Sequence, residues 1–316
     1  MRNAMTTSTS EGGGARALEL EFENPRASLR DLRSLPLPRR VLLADPAEFD
    51  VAYAINPHML GESGELKRVD RELARAQWNA LKSAFEASGL EVHVASALTG
   101  HPDLVFCANQ ALPIPRGASV LGRPLALASN MRWAQRRGEV GHVLGALGRL
   151  GYAPRRLATL APLEGMGDGL WHPGRALLWA GVGPRSTLAA WDAVARWIDA
   201  PVAHLELIDP DFYHLDTALA LLDERTCLWH PDALSRRSRR LVERLIPRCI
   251  EADPGEARTL LACNACSPDG RRVLIQRGCE VTGGRLRAAG YEVLELETSE
   301  FLKSGGSVFC MKLLVW

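Results

Sequence analysis

Ser88-Gly89-Leu90-Glu91-Val92-His93-Val94 ends one kind of structure and begins another. Upstream, residues 67–87 place Val69, Leu73, Ala76, Ala80, Leu81, Ala84 and Phe85 on one side of a helix. A glycine at 89 can take the left-handed conformation that stops a helix, and the residues after it alternate as a half-buried strand does. The wording returns late in the chain as Gly290-Tyr291-Glu292-Val293, after a helical stretch over 281–289. Three more copies of helix, Gly or Pro break and strand lie between them. These are 138–150 with 155–160, 187–198 with 202–208, and 234–246 with 248–251.

The spacing is roughly fifty residues, the upper end of the usual range for a repeated unit. Short apolar strands are expected between the units, at 104–107, 125–128, 176–180, 226–229, 259–262 and 273–276. A doubly wound sheet would not ask for two or three strands per helix. No G-x-G-x-x-G turn leads into a helix either. The pattern therefore predicts an α/β fold: a five-bladed pseudo-symmetric propeller over residues 41–316, with strands around a central pocket and helices outside. Residues 1–40 are polar, Gly-rich and Pro-punctuated, and read as a disordered or loosely attached arm.

Composition narrows the function. Lys+Arg 38 against Asp+Glu 37 leaves no basic surplus for nucleic acid. The short Arg clusters at 136–137, 155–156 and 236–240 read as solvated helix faces. No apolar run approaches the ~18–20 residues that span a bilayer, so no membrane partner is expected. The N-terminus lacks the apolar core of a signal peptide. Seven cysteines, an odd number in a chain this long, suit free thiols in a reducing compartment, and a cytoplasmic location is expected.

Five segments carry candidate chemistry. Phe301-Leu302-Lys303-Ser304-Gly305-Gly306-Ser307-Val308-Phe309-Cys310 brings a glycine turn up to one thiol, and the following Met311 to Trp316 reads as a buried strand. A rigidly held cysteine there can face a cavity, or it can be a plain core thiol. Asn56 precedes Pro57, which pushes it out of the helical region and presents its amide. Asp103-Leu104-Val105-Phe106-Cys107-Ala108-Asn109 reads as an apolar strand ending in an amide. In Glu164-Gly165-Met166-Gly167-Asp168-Gly169, two carboxylates share a loop whose glycines permit close approach; the ligand spacing of a calcium loop is missing. In Phe212-Tyr213-His214-Leu215-Asp216-Thr217, strand geometry would put His214 and Asp216 on one face.

One thiol, one imidazole and several acids suit nucleophilic catalysis on a cationic substrate. A guanidinium ~4 Å from a thiolate at an effective dielectric of 20 is worth roughly 4 kcal/mol, or about 3 pKa units. Substrate charge can thus ionise a thiol that starts near 8.5. Cys263-x-x-Cys266 stands alone, without a second Cys or His pair, and is weak evidence for zinc.

These motifs, in this order, resemble the guanidino-group-modifying enzymes of the pentein superfamily: arginine deiminases, dimethylarginine dimethylaminohydrolases, amidinotransferases and, nearest in wording, the arginine dihydrolase domain. The resemblance runs from Val41 to Trp316. It rests on Ile55-Asn56-Pro57-His58-Met59, 102–109, Arg136-Arg137-Gly138-Glu139, 164–168, 212–217, Ala262-Cys263-Asn264 and 303–310. It implies a five-fold α/β propeller, which agrees with the five units.

By motif, the resemblance makes Cys310 the nucleophile and His214 the general acid and base. Glu164 would grip the guanidinium, with Asp216 beside the imidazole or the substrate. Asn109 would hold the guanidinium end, with Asn56, Asp168 and Gly306 lining the pocket, and Arg136 would meet the substrate carboxylate. No cofactor and no metal are implied. The partner is a small molecule, arginine or a modified arginine, and the family leaves room for a homo-oligomer. Deiminases carry an acid where this chain has Asn109; the neutral amide resembles the dihydrolase pattern, which goes on to ornithine, carbon dioxide and ammonia. Gln110-Ala111-Leu112, Ala218, a longer 113–122 loop and 131–135 depart from the family wording, which leaves the recognised side chain open. Amidino transfer to an amine, and a non-catalytic ribosome-binding role that would not need Cys310, are the competing readings.

Overall fold

The fold starts from one buried strand. In the computed structural model, which describes residues 28–316, Arg40–Ala44 is flanked on one side by Glu91–Ala95, running parallel, and on the other by Leu313–Val315, running antiparallel. Val41, Leu42, Leu43 and Ala44 are all buried, as a strand covered on both faces requires. The helix Arg71–Ala87 makes the parallel crossover. Asp70 caps it by accepting from the backbone N–H groups of Glu72 and Leu73, a contact worth about 1 kcal/mol. Its inner face buries Trp78, Leu81 and Phe85, each contributing ~1.5–3 kcal/mol. Ser88 is its C-cap, and Gly89 has φ +84, which a side chain would resist.

The same unit recurs. Leu125–Ala128 pairs in parallel with Ala153–Arg155 across the helix Arg137–Arg149. Leu178–Val182 pairs with Val202–Glu206 across Leu188–Ala195, and Thr226–Trp229 with Arg248–Glu251 across Arg236–Leu245. Arg272–Gln276 pairs with Glu292–Leu296 across Glu280–Ala288. The described residues thus hold five separate small sheets, and no closed sheet joins them.

Four of the units add a short antiparallel strand: Ala111–Ile114, Gly169–Trp171, Leu219–Leu221 and Leu313–Val315. In the fifth, a single antiparallel bridge between Cys266 and Leu274 stands in its place.

Several expected strands are something else. Pro102–Val105 is a 3-10 turn, since Pro102 removes a donor and sets φ for a helical start. Pro254–Thr259 is a short helix capped by Asp253, so the expected strand at 259–262 does not form. Residues 28–39, expected to belong to a loosely attached arm, are packed against the rest. Leu29 and Leu35 are buried, Leu35 N–H donates to the Gly174 carbonyl at 3.0 Å, and Trp316 Nε1 donates to the Pro36 carbonyl at 2.7 Å. The remainder of that arm, residues 1–27, lies outside the described residues. Among the described residues no helix is long and apolar enough to cross a membrane.

Candidate active site

Most of the candidate residues sit at equivalent places in their units, on the turn that enters the short antiparallel strand or, in the fifth unit, the bridge; Asn56 and Arg136 lie elsewhere. Asn109 precedes Ala111–Ile114, the Glu164–Asp168 turn precedes Gly169–Trp171, and the His214–Asp216 turn precedes Leu219–Leu221. Asn264 precedes the Cys266 bridge, and Cys310 precedes Leu313–Val315.

The turns touch one another in order. Ala108 N–H donates to the Cys310 carbonyl at 3.2 Å, and Met166 N–H to the Ala108 carbonyl at 2.8 Å. Leu215 N–H donates to Asp168 Oδ1 at 2.9 Å, and Asn264 Nδ2 to the Asp216 carbonyl at 3.1 Å. Cys310 N–H closes the circuit on Asn264 Oδ1 at 3.1 Å.

Local sequence explains these turns. Gly165 takes φ +49, and a Cβ there would meet the Ala111 carbonyl oxygen at 2.4 Å. A Cβ on Gly167 would fall 2.3 Å from Asn109 Nδ2 and 3.2 Å from His214 Cγ, so glycine lets these two side chains approach. Gly306 lies against the Phe106 ring, where a Cβ would come within 2.2 Å. His214 is extended and is followed by the one-turn helix Leu215–Ala218, so His214 and Asp216 do not share the face of a strand as expected. The chain enters a helix between them instead, and the backbone changes direction there.

The sulfur of Cys310, only 2 % exposed as a residue, donates to Asp216 Oδ2 at 3.2 Å and accepts from Asn264 Nδ2 at 3.1 Å. Burial, then the charge of Asp216, pushes the thiol well above its ordinary pKa. Burial also lifts Asp216 to about 7. Acid and thiol therefore act as one coupled unit, and the first proton to leave belongs to the pair.

His214 Nε2 lies 2.8 Å from Glu164 Oε2, while its Nδ1 has no hydrogen-bond partner among the described residues. The same Glu164 oxygen accepts from Arg185 Nη1 at 2.9 Å, and Oε1 accepts from Arg132 N–H at 3.0 Å. Burial would raise Glu164, but the His214 bond and the charges of Arg185, His214 and Arg136 prevail and hold it near 2. Asp168 receives Leu215 N–H and Ser186 Oγ, the latter at 2.6 Å, and burial raises it to about 6. In this structure it fixes the His214 turn.

Asn109 Oδ1 accepts from Arg136 Nη1 at 2.9 Å, and its Nδ2 is without a partner among the described residues. Arg136 departs from expectation. Its guanidinium is buried and donates to Glu139, Asn109 and the carbonyls of Asp103 and Phe106. The i,i+3 pairing with Glu139 turns it inward, so it is committed to holding Asn109 rather than open to a substrate carboxylate.

Asn56 belongs to a cover. Its Nδ2 donates to the Ser304 carbonyl at 3.0 Å, and its Oδ1 caps the Pro57–Met59 turn through His58 N–H. Arg185 Nη2 donates to the Ile55 carbonyl at 2.9 Å, and the Tyr213 hydroxyl to the Gly305 carbonyl. Sequence reasoning missed Arg185, whose guanidinium also lies 4.8 Å from the Tyr213 ring centroid. It follows an unremarkable Gly-Val-Gly-Pro, and only the fold brings it to Glu164. It also left Asn264 without a role, although the Ala262-Cys263-Asn264 wording was visible. Among the described residues no group of three or more His, Cys, Asp or Glu is placed to hold a metal ion.

No protein-family model matches the chain. It is 36% identical over 281 residues to an N(G),N(G)-dimethylarginine dimethylaminohydrolase of Mycobacterium tuberculosis, covering 89% of this chain and 87% of that one. It is 33% identical over 278 residues to the bifunctional arginine dihydrolase/ornithine cyclodeaminase ArgZ of Synechocystis, covering 87% of this chain but 37% of that larger protein. Among solved structures, the substrate-bound N-terminal domain of ArgZ, a cyanobacterial arginine dihydrolase, superposes with a TM-score of 0.80 at 31% identity. That match covers 87% of this chain and 97% of that domain. Shared fold and shared sequence over this length lead to one conclusion: the chain belongs to the guanidino-group-modifying superfamily that contains the dimethylarginine dimethylaminohydrolases and arginine dihydrolases.

Proposed function

We propose that the protein is a cysteine-dependent hydrolase of the guanidinium group of arginine or a close derivative. It works through a covalent thiouronium and, as an arginine dihydrolase does, continues to ornithine, carbon dioxide and ammonia. The observation that carries this reading is the Cys310 sulfur 3.2 Å from Asp216 Oδ2, on a turn beside an imidazole bonded to Glu164 at 2.8 Å. Membership in a family of guanidino C–N hydrolases gives the reaction class. The five sheets, with their turns bonded in a circuit, are read as the blades of a propeller around this site.

Substrate enters when the cover formed by Ile55, Asn56 and their bonds to Arg185 and Ser304 moves aside. Its guanidinium takes a place on Glu164, a reading supported by the Arg185 guanidinium that already donates to this carboxylate at 2.9 Å. The approaching cation favours the thiolate, and the thiol proton passes to the Asp216–His214 side. Sulfur then bonds to the planar carbon. His214 gives a proton to the departing ammonia, takes one from the entering water, and the carbon–sulfur bond breaks to release a ureido product.

In a second round the sulfur adds to the ureido carbon and a second ammonia leaves. Water then cleaves the thiocarbamate, and the resulting carbamate loses carbon dioxide to leave the amine. The neutral Asn109 amide suits a neutral ureido group, which needs no charge partner.

The 36% identity to a dimethylargininase favours a second reading, in which methylated arginine is cleaved once to citrulline. Incubation with arginine, methylated arginines and agmatine, with products read by mass spectrometry and Cys310→Ser as blank, separates the two. Ornithine from arginine supports the first reading, and citrulline from methylarginines alone supports the second.

A further inference from the structure

Of the 38 basic residues only four are lysines, Lys67, Lys82, Lys303 and Lys312. One of these four occupies one of the most enclosed positions in the protein. Lys312 is 0% exposed, two residues beyond the nucleophile, and its Nζ has no hydrogen-bond partner among the described residues. Burying an ammonium without a partner is costly, and such groups persist where something else compensates. Part of the compensation is visible: Nζ lies 2.9 Å from the centroid of the Phe309 ring, a cation–π contact.

The rest comes from what surrounds it. The titratable groups that act on Lys312 from each neighbouring element are all able to become anions. They are Cys310 on its own segment, Asp216 on the His214 turn, Cys107 before Ala111–Ile114, and Cys266 at the fifth unit's bridge. Behind them stand Arg136, which acts on Cys107, and Asp269, which acts on Cys266. Cys107 donates to the carbonyls of Leu42 and Met311 and so serves as a neutral core thiol. Burial raises the Cys266 thiol at its bridge as well, and Cys310 and Asp216 are left as the anions for this cation to favour.

We propose that Lys312 is a positioning residue for the reaction: a fixed positive charge behind Cys310 and Asp216 that lets one negative charge form in the closed site before substrate arrives. A lysine suits this position better than an arginine, because an ammonium is compact and has no planar fork of five donors to satisfy. Burial lowers its pKa to about 8, which leaves it mostly charged at neutral pH. The proposal rests on Cys310 being the nucleophile.

The test is the pH dependence of Cys310 alkylation by iodoacetamide, followed by mass spectrometry of the Cys310 peptide in wild type and Lys312→Met. Removing the charge is expected to raise the alkylation midpoint by about one pH unit or more, so that the rate at pH 7 falls about tenfold. The acid limb of the kcat/KM profile should move the same way. The melting temperature at pH 6, where Asp216 is mostly protonated and no buried anion is left stranded, should hold or rise, since an apolar chain of similar length replaces a buried charge.

A folded Lys312→Met with the wild-type alkylation midpoint overturns the proposal. Should that variant not fold, NMR of wild type and Asp216→Asn with labelled lysine gives the answer. The Lys312 signal must titrate lower once the Asp216 charge is gone, and an unchanged titration overturns the proposal. Full turnover by Cys310→Ser would instead sink the underlying site assignment, and is read independently.

Discussion

Asn264 holds Cys310 from both sides of the amide: Oδ1 accepts the N–H groups of Ser307, Phe309 and Cys310, each at 3.1 Å, while Nδ2 donates to the sulfur at 3.1 Å. One side chain therefore shapes the turn that presents Cys310 and also touches its sulfur. Replacing Asn264 with Ala strands the buried N–H groups of Ser307 and Cys310, while Phe309 N–H keeps its bond to the residue-264 carbonyl at 3.0 Å. The expected cost is ~1–3 kcal/mol of stability in urea denaturation, with turnover reduced at least tenfold. Cys310→Ser, by contrast, should keep its stability and lose turnover.

Asp216→Asn should separate stability from activity. The folded pKa of Asp216, about 7, lies above the ordinary carboxyl value of about 3.8, so the ionised acid weakens the fold above pH 7 and this cost is relieved as pH falls toward 4. The amide removes that cost. Thermal unfolding at pH 8 should show Asp216→Asn to be more stable than wild type, by on the order of a few kcal/mol, while turnover falls. A less stable variant at pH 8 would mean that burial does not dominate the carboxyl.

Glu164 runs the opposite way. Its folded pKa of about 2 lies below the ordinary glutamate value of about 4.5, so its contribution is present above 4.5 and is lost as pH falls toward 2. Glu164→Gln should flatten the acid limb of the stability–pH curve, an effect on the order of 3 kcal/mol, and should leave Arg185 and His214 without their shared anion. Acid titration followed by circular dichroism reads it directly.

Asn109→Asp is the specificity prediction. Arg136 already bonds Asn109 Oδ1, so a carboxylate would be accepted there, while the donor at Nδ2 would be lost. The expected outcome is a folded enzyme whose citrulline-to-ornithine ratio from arginine rises. An unchanged ratio would refute the role given to the neutral amide.

Gly167→Ala tests the close approach. The new Cβ would sit 2.3 Å from Asn109 Nδ2 and 3.2 Å from the His214 ring, so one of the two must move. Turnover should fall at least tenfold while the melting temperature drops only modestly, because the displaced atoms are side chains rather than backbone.

The repeat was legible because helix periodicity, glycine stops and alternating strands are local signals, as at Gly89 and Gly290. Most of the short antiparallel strands were not, although Leu313–Val315 lies within the strand expected at 311–316. Gly169–Trp171 and Leu219–Leu221 are three residues each, too short to show alternation, and the one-turn helices before them look like loops or strands. Cys310, His214 and Glu164 could be picked out by residue type and awkward backbone. The roles of Arg136 and Arg185 depend on partners 20 to 130 positions away, such as Asn109, Glu164 and the Ile55 carbonyl, and no local pattern announces those.

The most direct measurement is the mass of the protein quenched in acid during turnover of arginine, followed by mapping of the modified peptide. The account predicts a population heavier by one arginine less one ammonia, with the added mass on the Cys310 peptide and absent from Cys310→Ser. Turnover that survives in Cys310→Ser, or an adduct carried by any other residue, would contradict it.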